Sequence, residues 1–180
     1  PSSAASDVYK RQQYAIKHFG YDGGVMITAS HNPPPDNGIK CFDSKGMEFT
    51  EKMEEELEDI IFNEKFAYAK WDGVGNLEYY PEVVDEYVDK LLSKFRPKRI
   101  RRKIKVIVDC ANGAASNITP LILRKLGASV LSINCHFDGL FPGRTPEPRP
   151  DVLEGLGRMV KTAGVDVAFA HDGDADRLSA

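Results

Sequence analysis

Hydrophobic and polar positions along the chain fall into two regimes. In the first, Tyr14, Ala15, Ile16 and Phe19 before Gly20 predict the last turns of a helix, with the glycine as its stop. Val25 to Ile27 form an apolar run with two β-branched residues, which reads as a short buried strand. It halts at small and polar residues and then at Pro33, Pro34 and Pro35, so a stiff, irregular loop follows. Residues 38–42 read as a second short strand, closed by the turn from Asp43 to Gly46. Thr50 is the expected N-cap of the next helix. Met53, Leu57, Ile60 and Ile61 share one face of it, and Glu51, Glu54, Glu55, Glu56, Glu58 and Asp59 cover the rest. That acidic cluster is expected to be a solvated face rather than a metal site. A loop containing Trp71 leads to Pro81 and to an amphipathic helix ending near Phe95, with Val84, Tyr87, Val88, Leu91 and Leu92 on its buried side. Trp71 and these aromatics are read as packing.

A basic segment then intervenes, Arg96, Lys98, Arg99, Arg101, Arg102, Lys103 and Lys105 around Pro97, which reads as an exposed linker and a domain boundary. Beyond it the pattern becomes regular. Strands are expected at 104–110, 129–134 and 165–170, and helices at 119–126 and 151–163, closed by Gly127 and Gly164. Parallel strands need crossovers, so strand, helix, strand, helix, strand with short connections implies a parallel sheet flanked by helices. Right-handed crossovers place the strand C-termini along one edge, where such sheets bind ligands. The expected organisation is an α/β chain: residues 1–12 a non-native lead of low information, 13–96 one unit and 97–180 a second.

With 180 residues, 42% of them hydrophobic, the chain can bury a core, and its net charge of −3 gives no reason to expect nucleic acid. The basic segment lacks interleaved stacking aromatics, which argues the same way. Cys41, Cys110 and Cys135 form no Cys-x-x-Cys pair, so neither a disulfide scaffold nor a zinc site is suggested and a reducing cytoplasm fits best. No apolar run approaches the roughly 20 residues of a membrane span, and the start lacks the zones of a signal peptide.

Two loops carry candidate chemistry. Ser30 and His31 sit at the mouth of the proline loop, and a serine nucleophile needs a base, for which His31 and Lys40 are candidates. An ordinary strand-to-turn junction with a capping serine would look the same. Asp172, Asp174 and Asp176 alternate after a strand and offer hard oxygen ligands of the kind Mg2+ prefers. An EF-hand also begins with alternating Asp, yet it wants glycine where Arg177 stands and a helix before the loop. A phosphatase with Asp172 as nucleophile, or a non-catalytic metal-binding module, fits the loop by itself equally well.

Thr28-Ala29-Ser30-His31-Asn32-Pro33, continued by Asp36-Asn37-Gly38-Ile39-Lys40, resembles the phosphoserine signature of the α-D-phosphohexomutases, the family of phosphoglucosamine mutase, phosphomannomutase and phosphoglucomutase. Asp109 to Ala114, Phe141 to Pro148 and His171 to Arg177 are similar to three stretches of that family's second domain, the last of them its magnesium loop. The resemblance implies two incomplete α/β domains: the later part of the first in 13–96 and most of the second in 97–180. It implies an intramolecular phosphotransferase that interconverts hexose 6- and 1-phosphates through a phosphorylated Ser30 and a hexose 1,6-bisphosphate. Mg2+ would be held by Asp172, Asp174, Asp176 and a phosphoserine oxygen of Ser30. Arg177 would donate to the transferring group, and Lys40 would be the general base with His31 second. The partners implied are a phosphorylated hexose and the remaining domains of a full-length enzyme, without which little turnover is expected. The stretch 138–148 looks most like the branch holding phosphoglucosamine mutases and the bifunctional phosphomannomutase/phosphoglucomutases, with a lean to glucosamine phosphate.

Overall fold

The protein is described by a computed structural model covering residues 7–28, 35–95 and 102–180. Helix α1, Asp7–Phe19, ends at Gly20, whose φ of +70° is the left-handed stop expected of it. The helix reaches back through residues 7–12, so part of the stretch read as a lead has helical backbone. Strands β1, Gly23–Ile27, and β2, Ile39–Asp43, form an antiparallel pair with Val25 opposite Cys41. Asp43 closes the following turn by accepting the amides of Lys45 and Met47, both at 2.9 Å. α1 lies close against the pair: a Cβ on Gly24 would meet Ile16 at 2.8 Å, and Ile16, Phe42 and Met26 form a small core.

The expectation of a buried β1 is corrected. Val25, Ile27 and Ile39 are 61%, 74% and 72% exposed, because α1 covers only the face that Met26 occupies, while on the other face Leu57 and Ile61 line an open recess with Ile39 and Cys41. Helix α2, Glu51–Phe62, starts at the expected cap, with Thr50 Oγ1 accepting the Met53 amide at 3.4 Å. Its apolar side is only half-buried at Met53 and Leu57, and its acidic face is solvated as expected. Trp71 is 90% exposed, so among the described residues it is not the packing group its type suggested.

Helix α3, Val83–Phe95, buries Tyr87 and Val88. These pack with Tyr14 of α1 on one side and with Ile118, Leu121 and Ile122 on the other, which ties the helices to the second sheet. That sheet contains β3, Lys105–Asp109, β4, Ser129–Ile133, β5, Val167–His171, and a two-residue β6, Leu178–Ser179. Its order is β4-β3-β5-β6; the first three strands are parallel and β6 runs antiparallel to β5. Central β3 is flanked on both sides, which is why its Val106, Ile107 and Val108 read as a continuous apolar run and are buried. The β3–β4 crossover passes through a 3₁₀ turn, Ala114–Asn117, and helix α4, Thr119–Lys125. Helix α5, Glu154–Ala163, connects β4 to β5 and ends at the left-handed Gly164. It starts three residues later than its pattern suggested, because the Arg149 carbonyl accepts the amides of Val152 and Leu153 in a preceding turn.

Candidate functional site

The parallel strands end on one edge, and there β5 passes through the turn from Asp172 to Arg177 into β6. The turn is closed from within: Arg177 donates its amide to Asp172 Oδ1 at 3.2 Å, and Ala175 adopts a left-handed φ of +66°. It is also fastened to the end of β3, where Ala114 donates its amide to the Gly173 carbonyl at 2.9 Å. That approach requires glycine, since a Cβ on Gly113 would lie 2.1 Å from the Gly173 oxygen. Two loops distant in sequence thus meet backbone to backbone.

Asp172, Asp174 and Asp176 each place a carboxylate oxygen within 4.8 Å of the others. Asp172 and Asp174 are buried and Asp176 is partly exposed. Asp172 is 0% exposed, and its Oδ2 has no hydrogen-bond partner among the described residues. Burial pushes the Asp172 carboxyl up to about 8, aided by the close Asp176 carboxyl and the nearby Asp174 charge, and opposed by the Arg177 amide. Hard oxygen donors, mutual repulsion and an orphaned buried oxygen together suit a small divalent cation, whose charge would remove the conflict. The neighbouring His171 is buried, with Nε2 3.0 Å from Thr119 Oγ1. Burial, followed by the Arg144 charge, lowers it to about 4, so it stays neutral at ordinary pH.

The other residues singled out in the sequence are distributed differently. Ser30 and His31 lie outside the described residues. Lys40 stands on β2, in the other sheet, with Nζ 3.4 Å from Glu48. Arg177 directs Nη1 at both carboxylate oxygens of Glu147, at 2.8 and 2.6 Å, with Nε 3.8 Å from Asp176. One nitrogen of its guanidinium is therefore already engaged by the 141–148 stretch.

A buried ion pair went unread in the sequence. Arg144 Nε donates to Asp109 Oδ2 at 2.8 Å, and the side chains are 7% and 4% exposed. Asn134 and the Ala111 amide complete the Asp109 carboxylate, at 3.1 and 2.9 Å to Oδ1. The available signal was an Asp at the end of a buried strand facing an Arg in a proline-rich stretch, and spacing does not pair them. Cys110 and Cys135, 25 positions apart in sequence, likewise meet at the ends of β3 and β4. The hydrogen bond with Cys135, with burial, pushes the Cys110 thiol far up.

Comparison with known proteins adds a family. Residues 11–68 match the model for "Phosphoglucomutase/phosphomannomutase, alpha/beta/alpha domain I", and residues 85–180 match the one for domain II. A phosphoglucosamine/phosphogalactosamine mutase of Sulfurisphaera tokodaii is 45% identical over 167 residues, covering 92% of this chain and 37% of that protein. A phosphopentomutase of Thermococcus kodakarensis is 48% identical over 158 residues, 88% of this chain and 34% of that protein. A crystal structure of a phosphoglucomutase/phosphomannomutase family protein from Burkholderia thailandensis superposes with a TM-score of 0.70 at 29% identity, over 87% of this chain and 32% of that one. The chain spans about a third of the length of the curated relatives it matches.

Proposed function

Because the chain belongs to the phosphoglucomutase/phosphomannomutase family, we propose that it supplies the phosphoserine loop and the metal turn of a phosphohexomutase. The whole enzyme would move a phosphoryl group between C1 and C6 of a hexose phosphate. The observation that carries this reading is the convergence of Asp172, Asp174 and Asp176 on one sheet edge, with a buried Asp172 oxygen that no described donor satisfies.

Ser30 carries the phosphoryl group in this reading. The bond from phosphorus to Ser30 Oγ breaks as a bond to the sugar hydroxyl forms, and the hydroxyl proton passes to Lys40, with His31 as the second candidate. The bisphosphorylated sugar then turns around, and its other phosphoryl group returns to Ser30 Oγ. Asp172, Asp174 and Asp176, with a phosphoserine oxygen, would hold Mg2+, which when bound supplies positive charge against the phosphoryl oxygens. Arg177 adds guanidinium donors beside them, oriented by Glu147. The phosphatase alternative would place the phosphoryl group on Asp172 instead of Ser30, and the identity of the labelled residue separates the two.

Glucosamine phosphate is the favoured substrate on the likeness of the 138–148 stretch, and the 48% identity to a phosphopentomutase puts pentose phosphates in the same test. The test is to assay the full-length protein containing this chain on glucosamine, glucose, mannose and pentose phosphates, and to map the phosphorylated residue after incubation with a hexose bisphosphate. Label at Ser30 and loss of turnover in Ser30→Ala are expected. Undiminished activity in that variant, or label on Asp172, would overturn the assignment.

A further inference from the structure

The stretch from Phe141 to Pro148 does more than connect β4 to α5: it touches the carboxylate turn at its start, at Gly173 and at its end. Arg144 Nη2 donates to the carbonyl of His171, the residue immediately before Asp172. Phe141 and Pro146 flank Gly173, where a Cβ would meet Pro146 at 3.1 Å and the Phe141 ring at 3.2 Å. Glu147 holds Arg177 at the far end of the turn, and Ser179 Oγ donates to the Pro148 carbonyl at 3.3 Å. The stretch is itself pinned by Arg144, whose Nη1 donates to the carbonyls of Thr145 and Pro146 at 3.0 and 3.1 Å while Nε is locked to buried Asp109. Gly143 tucks against Asn134 and donates its amide to Asn112 Oδ1 at 3.1 Å, so the stretch also rests on the β3 and β4 ends.

We propose that Arg144 is a positioning residue for the carboxylate turn: by bridging the end of β3, the 141–148 stretch and the His171 carbonyl, it presets the turn in its cation-binding shape before any cation arrives. Three carboxylates within 4.8 Å would otherwise splay apart. The Arg177 amide on Asp172 Oδ1 ties the two ends of the turn together, and Arg144 fixes where that closed turn starts. A planar guanidinium is suited to the task because its donors leave in fixed directions, so a single side chain can set three backbone segments at once. The inference rests on the metal reading of the proposed function, and its test separates the two.

Mn2+ binding is titrated by the EPR signal of the free ion on the wild-type chain, on Asp109→Asn/Arg144→Met, on Arg144→Lys and on Val88→Ala. The double variant removes both buried charges together, so neither is stranded. Val88→Ala loosens the core that α3 forms with Ile118, Leu121 and Ile122, which includes no residue of the 141–148 stretch or of the turn, and serves as a destabilised control. Both Arg144 variants are expected to bind Mn2+ about 10- to 100-fold more weakly, and Val88→Ala within about twofold of wild type despite a comparable fall in Tm. Wild-type affinity in a folded Arg144 variant would overturn the inference. Hydrogen exchange on the metal-free wild type needs no variant: the Arg177 amide, bonded to Asp172, is expected to exchange as slowly as those of β5. Fast exchange there that slows only when Mn2+ is added overturns the inference equally. Absence of Mn2+ binding by the wild type would sink the metal reading, and the Arg177 amide would then decide whether the turn is preset.

Discussion

Replacing Asp172 with Asn tests whether the carboxylate cluster is held against its own repulsion. Asn keeps the side-chain shape and the Oδ1 acceptor for the Arg177 amide but carries no charge. Two unit charges 4.8 Å apart repel by about 3.5 kcal/mol at an effective dielectric of about 20. Asp172 enters two of the three pairs, so at that separation its ionised form costs about 7 kcal/mol before any relaxation. Protonation limits that cost. With its carboxyl raised to about 8, the native chain holds a proton there that the unfolded chain has released above its ordinary value of 3.8. The folded state therefore binds more protons across that window, and the metal-free chain loses stability as pH rises through it, by up to about 1.4 kcal/mol per pH unit. Relaxation leaves a net penalty on the order of 2 kcal/mol near neutrality, which for a chain of this size corresponds to about 4–8 °C in Tm. Thermal melts followed by circular dichroism, in EDTA and in saturating Mg2+, read it directly. Asp172→Asn should melt above wild type in EDTA, and most clearly at pH 8. Mg2+ should raise the wild type, by about 2.7 kcal/mol at a hundredfold excess over Kd, and leave the variant nearly unmoved. If the variant melts below wild type in EDTA, the charge stabilises the native turn by itself and the reasoning fails.

Gly113→Ala places a Cβ where the Gly173 carbonyl now sits, 2.1 Å away, and should abolish cation binding while circular dichroism reports an intact sheet. Equal Mg2+ affinity would show that the contact between the β3 end and the carboxylate turn is dispensable. Asp166 is held below the usual carboxylate range, first by the Lys105 amide and then by Arg102. Its contribution is full above the ordinary value and is lost as pH falls through the lowered one. Asp166→Asn should therefore lower Tm at pH 7, with the gap to wild type closing on acidification. Trp71, the single tryptophan of the chain, should show water-like emission and quench readily with acrylamide in the native state, and a blue-shifted, protected emission would contradict its exposure.

Much of the molecule was legible in one dimension because the responsible forces are local. The apolar run of β3, the glycine stops after α1, α4 and α5, and the Thr50 cap all report backbone geometry that neighbouring residues dictate. The triple-aspartate turn was readable for the same reason, since its three carboxylates lie within five residues. Its family was readable from motifs whose order and spacing recur in phosphohexomutases. Long-range partnership was not legible. Nothing near Arg144 in the chain announces that it is buried against Asp109, or that the same guanidinium reaches the His171 carbonyl. Nothing near Arg177 in the chain announces that it also meets Glu147, 30 residues away. The β1 run looked like a core strand, since hydrophobicity records what a segment can bury and not what covers it, and its Val25 and Ile27 face outward. Sequence by itself determined most of the strands and turns and the alternating aspartates at a strand end. Only the tertiary structure decided which loops meet and which side chains lose their water, because those outcomes depend on contacts between segments far apart in the chain.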